Sequence, residues 1–485
     1  MVSINDEDIA MTEMRKQTES SEERLFTADM IRSLGERLHG ELILPADAQY
    51  DAARQVYNAI HDRRPALIVQ ASDVADVMSC VAFARQHNLL LSVRGGGHSV
   101  PGFGTCDGGL VLSLERMRGI RVDPERHSVR AEGGCTWADL NHATAAFGMA
   151  TTGGIVSTTG IAGLTLGGGL GYLARSCGLS CDNLLSADVI TADGRFLTCS
   201  ESYNEDLFWA IRGGGGNFGV VTSFEYRLYD VADILGGPTF YPLDAEVIRR
   251  YRALIAEAPE ALGALLGITL GPPLPFLPES WHGQPVVVVL TCWSGPGGED
   301  EAIRERLSQL GPVLGQYVQR MPYPVINTLF DELLPAGLYH YWKGRFTRHL
   351  SNEAIDVHID YGARIPCPQS ATLLFPIDGA CQRVAPDATA FAYRDASFAT
   401  VLGPSWPDPT DSERNIAWGR AYSQALQPYS EEGGYVNFMS SDDADRVHAN
   451  YRQNYDRLAE IKTRYDPTNL FRLNQNIVPS SHNMV

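Results

Sequence analysis

Between residues 66 and 94 the apolar positions change period twice, and the changes mark three elements. Ala66–Gln70 is a short, nearly unbroken apolar run after Pro65 and reads as a buried strand. Asp73 can cap a helix in which Val74, Val77, Met78, Val81 and Ala82 recur at spacings of three and four. Leu89–Val93 is apolar again and passes straight into Arg94-Gly95-Gly96-Gly97-His98-Ser99. The three form a strand–helix–strand unit that ends in a glycine loop.

From Gly108 to Glu225 the runs shorten and are separated by Gly, Asp and Asn. GLVLSL, SVRAEGG, SADVITADGRFLTCS and GVVTSFEYRL predict strands, with Asp193-Gly194 as a hairpin turn. Thr136–Phe147 and SYNEDLFWAIRGG predict helices. Strands and helices neither alternate strictly nor segregate, so the class expected is α+β. Beyond Tyr229–Gly237 longer helices are expected at Ala245–Ala258 and Glu301–Leu310, and strands at Pro285–Thr291 and Ala371–Pro376. The last fifty residues return to helix. This divides the chain into a polar lead-in with helical character (1–39), a glycine-rich domain (40–230), a second domain (231–430) and a segment (431–485) that rejoins the first.

Composition narrows the function. The chain has 485 residues, 44% hydrophobic and 20% charged, which is a globular balance with room for two or three domains. Thirty-nine Lys and Arg against 58 Asp and Glu leave a net charge of −19. Such an excess of carboxylates excludes generic nucleic-acid binding and disfavours docking on anionic membranes. Nine cysteines are an odd number and form no Cys-x-x-Cys pair, so neither a disulfide framework nor a zinc site is expected. No run of about 18 apolar residues predicts a membrane span, and the polar, acidic N-terminus has no apolar signal core. A cytoplasmic protein, monomeric or homodimeric, is the expectation.

Candidate chemistry lies in the glycines. A loop without Cβ atoms lets backbone N–H groups converge on phosphate oxygens. The 94–99 loop is neither a Gly-Lys-Ser/Thr phosphate loop nor a G-x-G-x-x-G fingerprint, and alone it could be a turn. Two more clusters follow, Gly153 through Gly169 and Arg212-Gly213-Gly214-Gly215-Gly216-Asn217-Phe218-Gly219. Three such loops with little charge between them imply backbone pressed against a long planar or phosphorylated ligand; tight sheet corners explain any one of them but not all three.

The stretch from about Pro65 to Val231 resembles the flavin-binding domain of the vanillyl-alcohol oxidase (para-cresol methylhydroxylase-type) family, and most closely its berberine-bridge-enzyme-like oxidases. The resemblance rests on RGGGHS, LGGGLGYLAR, GLSCDNLLSADVITADG, DLFWAIRGGGGNFGVVTSF, GGYVNF and NYDRLAEIKTRYDPTNLFRLNQNI. It implies a two-part FAD-binding domain and a substrate domain whose antiparallel sheet is flanked by helices. His98 would carry the flavin covalently on its 8α-methyl carbon. Arg94, Gly95, Gly96, Gly97 and Ser99 would complete the first FAD loop. Gly154, Val156, Thr158, Thr159, Gly160, Gly163, Leu164, Gly168, Gly169 and Gly171 would supply the second, with Val221, Asn474, Gln475 and Asn476 as further contacts. Val156 stands where bicovalent members carry a cysteine, so one covalent link is implied. Leu164 replaces a histidine of those members. Ile161 stands at the relatives' oxygen-access gate.

The same resemblance gives Tyr435 as the catalytic base, with Asn437 as a contact to flavin or substrate and Tyr393 and Arg394 as secondary candidates. A phenol has an ordinary pKa of about 10, so it serves as a base only where its surroundings favour phenolate. A structural tyrosine with a satisfied hydroxyl is the plain alternative for Tyr435, and Asp387 is a rival base. The implied activity is hydride transfer from a small-molecule substrate, a secondary alcohol, sugar-like compound or natural product, to FAD and then to O2. A dehydrogenase with another acceptor and a non-catalytic flavin carrier are the alternatives.

Overall fold

The computed structural model describes residues 27–480. The expected helical lead-in therefore falls outside the described residues up to residue 26; Ala28–Gly35 is helical, with the Thr27 hydroxyl accepting the Met30 N–H as its N-terminal cap. The strand–helix–strand unit forms as the pattern requires: Leu67–Gln70, helix Val74–Gln86 capped by the Asp73 carboxylate, and Leu91–Arg94. These strands join Leu110–Ser113 and Glu41–Ile43 in a four-stranded sheet. Leu110–Ser113 runs parallel to both Leu67–Gln70 and Leu91–Arg94.

A second sheet, wholly antiparallel, has the order Ile120–Asp123, Ser128–Glu132, Val220–Arg227, Leu184–Ile190, Phe196–Ser200. Its last two strands are the Asp193-Gly194 hairpin. Trp137–Ala145 packs on this sheet, its start fixed by a reciprocal cap between Thr136 and Asp139. The third sheet is also antiparallel: seven strands from Gly315–Gln316 through Asp233–Pro242, Pro285–Trp293, Leu262–Leu270, Ala371–Pro376 and Phe398–Gly403 to Lys343–Thr347, with Gln319–Pro322 on the side. Helices Ala245–Glu257, Asn352–Gly362 and Ser412–Leu426 cover one face around a core of Tyr251, Leu266, Val289 and Tyr422. The class is α+β, and the parallel pairing stays within one small sheet.

Six strands of the third sheet escape the periodicity reading, two of them, Gly315–Gln316 and Gln319–Pro322, too short to carry a period. Leu262–Leu270 is apolar at nearly every position because both its faces are covered, so it carries no alternation to detect. Asp233–Pro242 contains Gly236-Gly237-Pro238, which reads as a turn but here lies inside a strand. Lys343–Thr347 and Phe398–Gly403 are short, and the first brings Lys343 and Arg345 into a buried strand.

The C-terminal residues add no strand of their own after residue 431 among the described residues. Tyr451, Leu458, Ile461 and Tyr465 share a core with the second sheet, and Leu470 and Phe471 with the first. Helix Tyr455–Tyr465 is locked by a fully buried pair, Lys462 Nζ to Asp466 at 2.6 Å. Lys462 also donates to the carbonyls of Asn217 (2.7 Å) and Phe471 (3.1 Å), while the Asp466 carboxylate accepts the N–H groups of Leu470 and Phe471. Every strong valence of this pair is used, which is what a buried ion pair needs to be tolerated.

A second buried pair links the glycine-rich half to the third sheet. Arg394 grips Asp182 with both guanidinium nitrogens, at 2.8 and 2.6 Å, with side chains 1% and 8% exposed. Asp182→Asn leaves that guanidinium without its counter-charge and is expected to cost about 3–5 kcal/mol of stability. Urea unfolding of Asp182→Asn, compared with a paired Asp182→Leu/Arg394→Met variant that recovers much of the loss, measures this.

Candidate active site

The three glycine loops meet along one cavity. Gly95, Gly96, Gly97, His98 and Ser99 line it from the first loop, Gly154, Val156, Thr159, Gly160, Gly163 and Leu164 from the second, and Gly215, Gly216, Gly219 and Val221 from the third. The first two loops touch backbone to backbone: a Cβ on Gly96 would lie 2.4 Å from Gly160 N, and one on Gly160 would lie 2.4 Å from Gly96 N. At Gly163 a Cβ would meet nothing within 4 Å, because the position faces the open cavity. Asn217 ties the third loop to the C-terminal segment, its amide accepting the Ile477 N–H and donating to the Gly214 and Gln475 carbonyls. That contact brings Asn474 and Gln475 to the cavity wall.

His98 stands at the end of the first loop. Its Nε2 is 3.1 Å from the Thr158 hydroxyl and its Nδ1 3.4 Å from that of Thr159. The ring stacks on Tyr57 (centroids 4.0 Å apart, 17° between planes), and Tyr57 stacks in turn on His340 (4.9 Å, 10°). One side of the imidazole faces the cavity and protein surrounds the rest, so burial lowers its pKa to about 4. It is a neutral imidazole at physiological pH.

Tyr435 and Asn437 sit on a turn held against the third sheet. Lys343 bridges Asp442 and Asp443 at 2.7 and 2.9 Å just beyond that turn. The Tyr435 hydroxyl, on a residue 1% exposed, accepts the Gly169 N–H and the Asn437 Nδ2–H, each at 2.8 Å. Burial pushes the phenol up; the two N–H donors pull it down, and burial wins. The facing wall is the sheet itself: Trp342, Ala371, Leu373, Phe375, Val401 and Gly403, with Gln369, Ser405 and Phe438 at its margins. No Lys, Arg, Asp or Glu lines the cavity among the described residues.

Several residues singled out by the sequence lie elsewhere. Arg94 does not line the cavity; it is buried and donates to the carbonyls of Ala53, Gln55 and Gly104, so it braces the glycine loop from behind. Thr158 reaches the site only through His98. Gly168, Gly169 and Gly171 lie behind Tyr435: Gly169 donates to its hydroxyl, and a Cβ on Gly171 would collide with the Gly153 carbonyl. Asn476 stays off the cavity lining, with its Oδ1 buried and unpartnered. Ile161 is buried in the core of the second sheet.

Three catalytic candidates are corrected. Tyr393 is outside the main cavity, because its hydroxyl donates to Ala449 O and accepts the Gly433 N–H while its ring lies between Phe346 and the Arg452 guanidinium. Arg394 is consumed by Asp182. Asp387 is exposed on a surface turn, with its carbonyl accepting the Trp209 indole N–H. The sequence reading also missed Tyr57, His340, Trp342, Gln369 and the sheet wall. Only the wall left a signal: Ala371, Leu373 and Phe375, and Val401, Gly403 and Ser405, are two-residue alternations, the first within a run whose other face is also largely apolar.

The fold recurs in known proteins. The FAD binding domain family matches residues 65–200, and the berberine and berberine-like family matches residues 434–478. An FAD-linked oxidoreductase of Dictyostelium discoideum is 32% identical over 422 residues, spanning 86% of this chain and 89% of its own. (R)-6-hydroxynicotine oxidase of Paenarthrobacter nicotinovorans is 32% identical over 455 residues, spanning 91% and 97%. Among solved structures, 6-hydroxy-D-nicotine oxidase from Arthrobacter nicotinovorans superposes with a TM-score of 0.81 at 28% identity, over 91% of this chain and 98% of its own. BBE-like 1 of Physcomitrella patens shares the fold, with a TM-score of 0.81 at 22% identity. Likeness of this extent, with the glycine loops and the Tyr435 turn on one cavity, places the chain in the berberine-bridge-enzyme-like family of FAD-linked oxidoreductases.

Proposed function

We propose that the protein is an FAD-dependent oxidase that removes a hydride and a proton from a small-molecule substrate, with FAD attached by one covalent bond at His98 and dioxygen as the final acceptor. The observation that carries this reading is His98, a neutral imidazole fixed by Tyr57, Thr158 and Thr159 at the end of a glycine loop and facing the cavity. A neutral ring keeps a lone pair for bonding to an electrophilic carbon; a protonated one has none.

The residues present fit FAD. The cradle is uncharged backbone, open at Gly163, and Gly95–Ser99 with Gly160 would hold the pyrophosphate through N–H groups. Gln475 Nε2 is a buried donor without a partner on the cavity wall, suited to an acceptor atom of the cofactor. Val156 offers no nucleophile, which supports a single link. Bound FAD supplies the two-electron acceptor.

Tyr435 takes the substrate O–H or N–H proton. Its oxygen already accepts two N–H groups, and a phenolate gains more from them than a phenol does. Asn437 has a second role as a spacer, since its Nδ2 also donates to the Leu164 carbonyl at 3.1 Å and holds the turn to the second loop. Relatives named for hydroxynicotine and for xylooligosaccharides as substrates share this framework, so the framework supports the reaction type and the cavity wall must supply the choice of substrate.

His98→Ala is expected to lose the yellow fluorescence that survives denaturing electrophoresis while still binding FAD reversibly; flavin found on a tryptic peptide without His98 overturns the assignment. Tyr435→Phe should slow flavin reduction about 10²–10⁴-fold with flavin content unchanged. Because burial raises the phenol's pKa, its reactive phenolate grows with pH, so the wild-type reduction rate rises from pH 6 to 9 without a plateau and the Tyr435→Phe rate stays flat. Mixing reduced protein with air-saturated buffer in a stopped-flow instrument should restore the oxidised spectrum with release of peroxide; reoxidation only by an added quinone identifies a dehydrogenase.

A further inference from the structure

One wall of the cavity is made almost entirely of carbon. Leu373 and Val401 are cross-strand partners on the third sheet, and Ala371 pairs with Gly403 one step along. Phe375 meets Phe438 with ring centroids 5.4 Å apart, and Phe438 meets Trp342 edge to face at 6.2 Å. The wall therefore offers two kinds of apolar surface, a flat aliphatic floor and an aromatic corner. Its polar groups are few and mostly committed. The Ser405 hydroxyl is 2.8 Å from His340 Nδ1, and Gln369 Oε1 accepts the Cys367 thiol.

The exception is the Trp342 indole N–H. It is buried and has no hydrogen-bond partner, although tryptophan N–H groups in protein interiors are regularly satisfied. The position opposite is a glycine: a Cβ on Gly403 would come within 3.5 Å of this nitrogen. Any larger residue there would cover the donor from the cavity side. The donor lacks a partner and lies beside a cavity-lining glycine, so an acceptor on a molecule entering the cavity would supply the bond it lacks.

We propose that Trp342, Leu373, Phe375, Val401 and Phe438 form the substrate subsite, and that it takes a neutral, ring-bearing molecule whose acceptor oxygen receives the Trp342 N–H. This deepens the oxidase reading and rests on it for the fate of the ligand. Net neutrality follows from the lining, which has no side chain to pair with an ionised group, and an unpaired charge in such a place is strongly disfavoured. A sugar chain fits poorly for a related reason: its many hydroxyls would lose water and find the Ser405 hydroxyl and Gln369 Oε1 already engaged, with the Gln369 Nε2–H as the one further donor on this wall, and each unmet hydroxyl weakens binding. Planar rings lose nothing on this surface and stack well against Phe375, Phe438 and the Trp342 edge.

The test uses the purified holoenzyme and three probes: 2-acetylnaphthalene, with a ring system and a carbonyl acceptor; 2-ethylnaphthalene, the same shape without the acceptor; and cellobiose. Calorimetric titration should show both naphthalenes binding and cellobiose not. Trp342→Phe keeps an aromatic ring and removes the N–H, so 2-acetylnaphthalene should bind about 5- to 10-fold more weakly and 2-ethylnaphthalene within about twofold of wild type. An unchanged flavin absorbance and circular dichroism spectrum confirm that the variant is folded and loaded. Equal weakening of the two naphthalenes, no weakening of either, or tight binding of cellobiose overturns the proposal. A chain that purifies without flavin overturns the oxidase reading instead, and the same titrations still decide the subsite.

Discussion

The cavity exists because two stretches of main chain touch with nothing between them. Gly96 and Gly160 approach so closely that a methyl group on either would overlap the other's backbone nitrogen. The contact joins the loop leaving the first sheet to the loop entering helix Ile161–Leu166, and it fixes where His98 and Thr159 can stand. Arg94 supports the arrangement from behind through three backbone carbonyls. Sterics rather than attraction set the site: substitution at either glycine pushes the loops apart and moves every residue that faces the cofactor cradle.

Around that contact, polar groups act mainly as fasteners. Lys462 and Asp466 tie the C-terminal helix to the third glycine loop, Arg394 and Asp182 tie the third sheet to the segment behind Tyr435, and Lys343 pins the Tyr435 turn through Asp442 and Asp443. Each charged group lies outside the cavity, although the chain as a whole carries an excess of 19 negative charges. Ionic interactions thus shape the walls while the interior stays electrically quiet, a setting in which the few dipoles that remain act with little screening.

Much of this was legible in the sequence, for reasons that differ by residue. The glycine loops announce themselves because glycine clusters are costly unless backbone must approach something. His98 stands out by its place directly after one, and Asp73 and Thr136 mark helix starts by local hydrogen bonding that needs no tertiary context. The resemblance ranked Tyr435 above Tyr393, but the residues alone do not separate them, since only packing decides which tyrosine faces the cavity. Tyr57 and His340 are far apart in the chain, and their stack on His98 is a product of the fold alone. The sheet wall left only a faint alternation at Ala371, Leu373 and Phe375, because the other face of that strand is also largely apolar.

The distribution of the cavity lining along the chain has a temporal meaning. Most of its lining comes from residues 91–104, 154–170, 215–221, 369–405, 435–438 and 471–475, with Trp342 between. A ribosome adding roughly 5–20 residues per second takes about 20–75 s to travel from the first of these to the last. The first glycine loop waits without the last strand of the third sheet until residue 403 is made, and throughout the interval without the C-terminal return that closes the far end. The cavity is therefore complete only in the finished polypeptide, and during synthesis its apolar trough stands half-built.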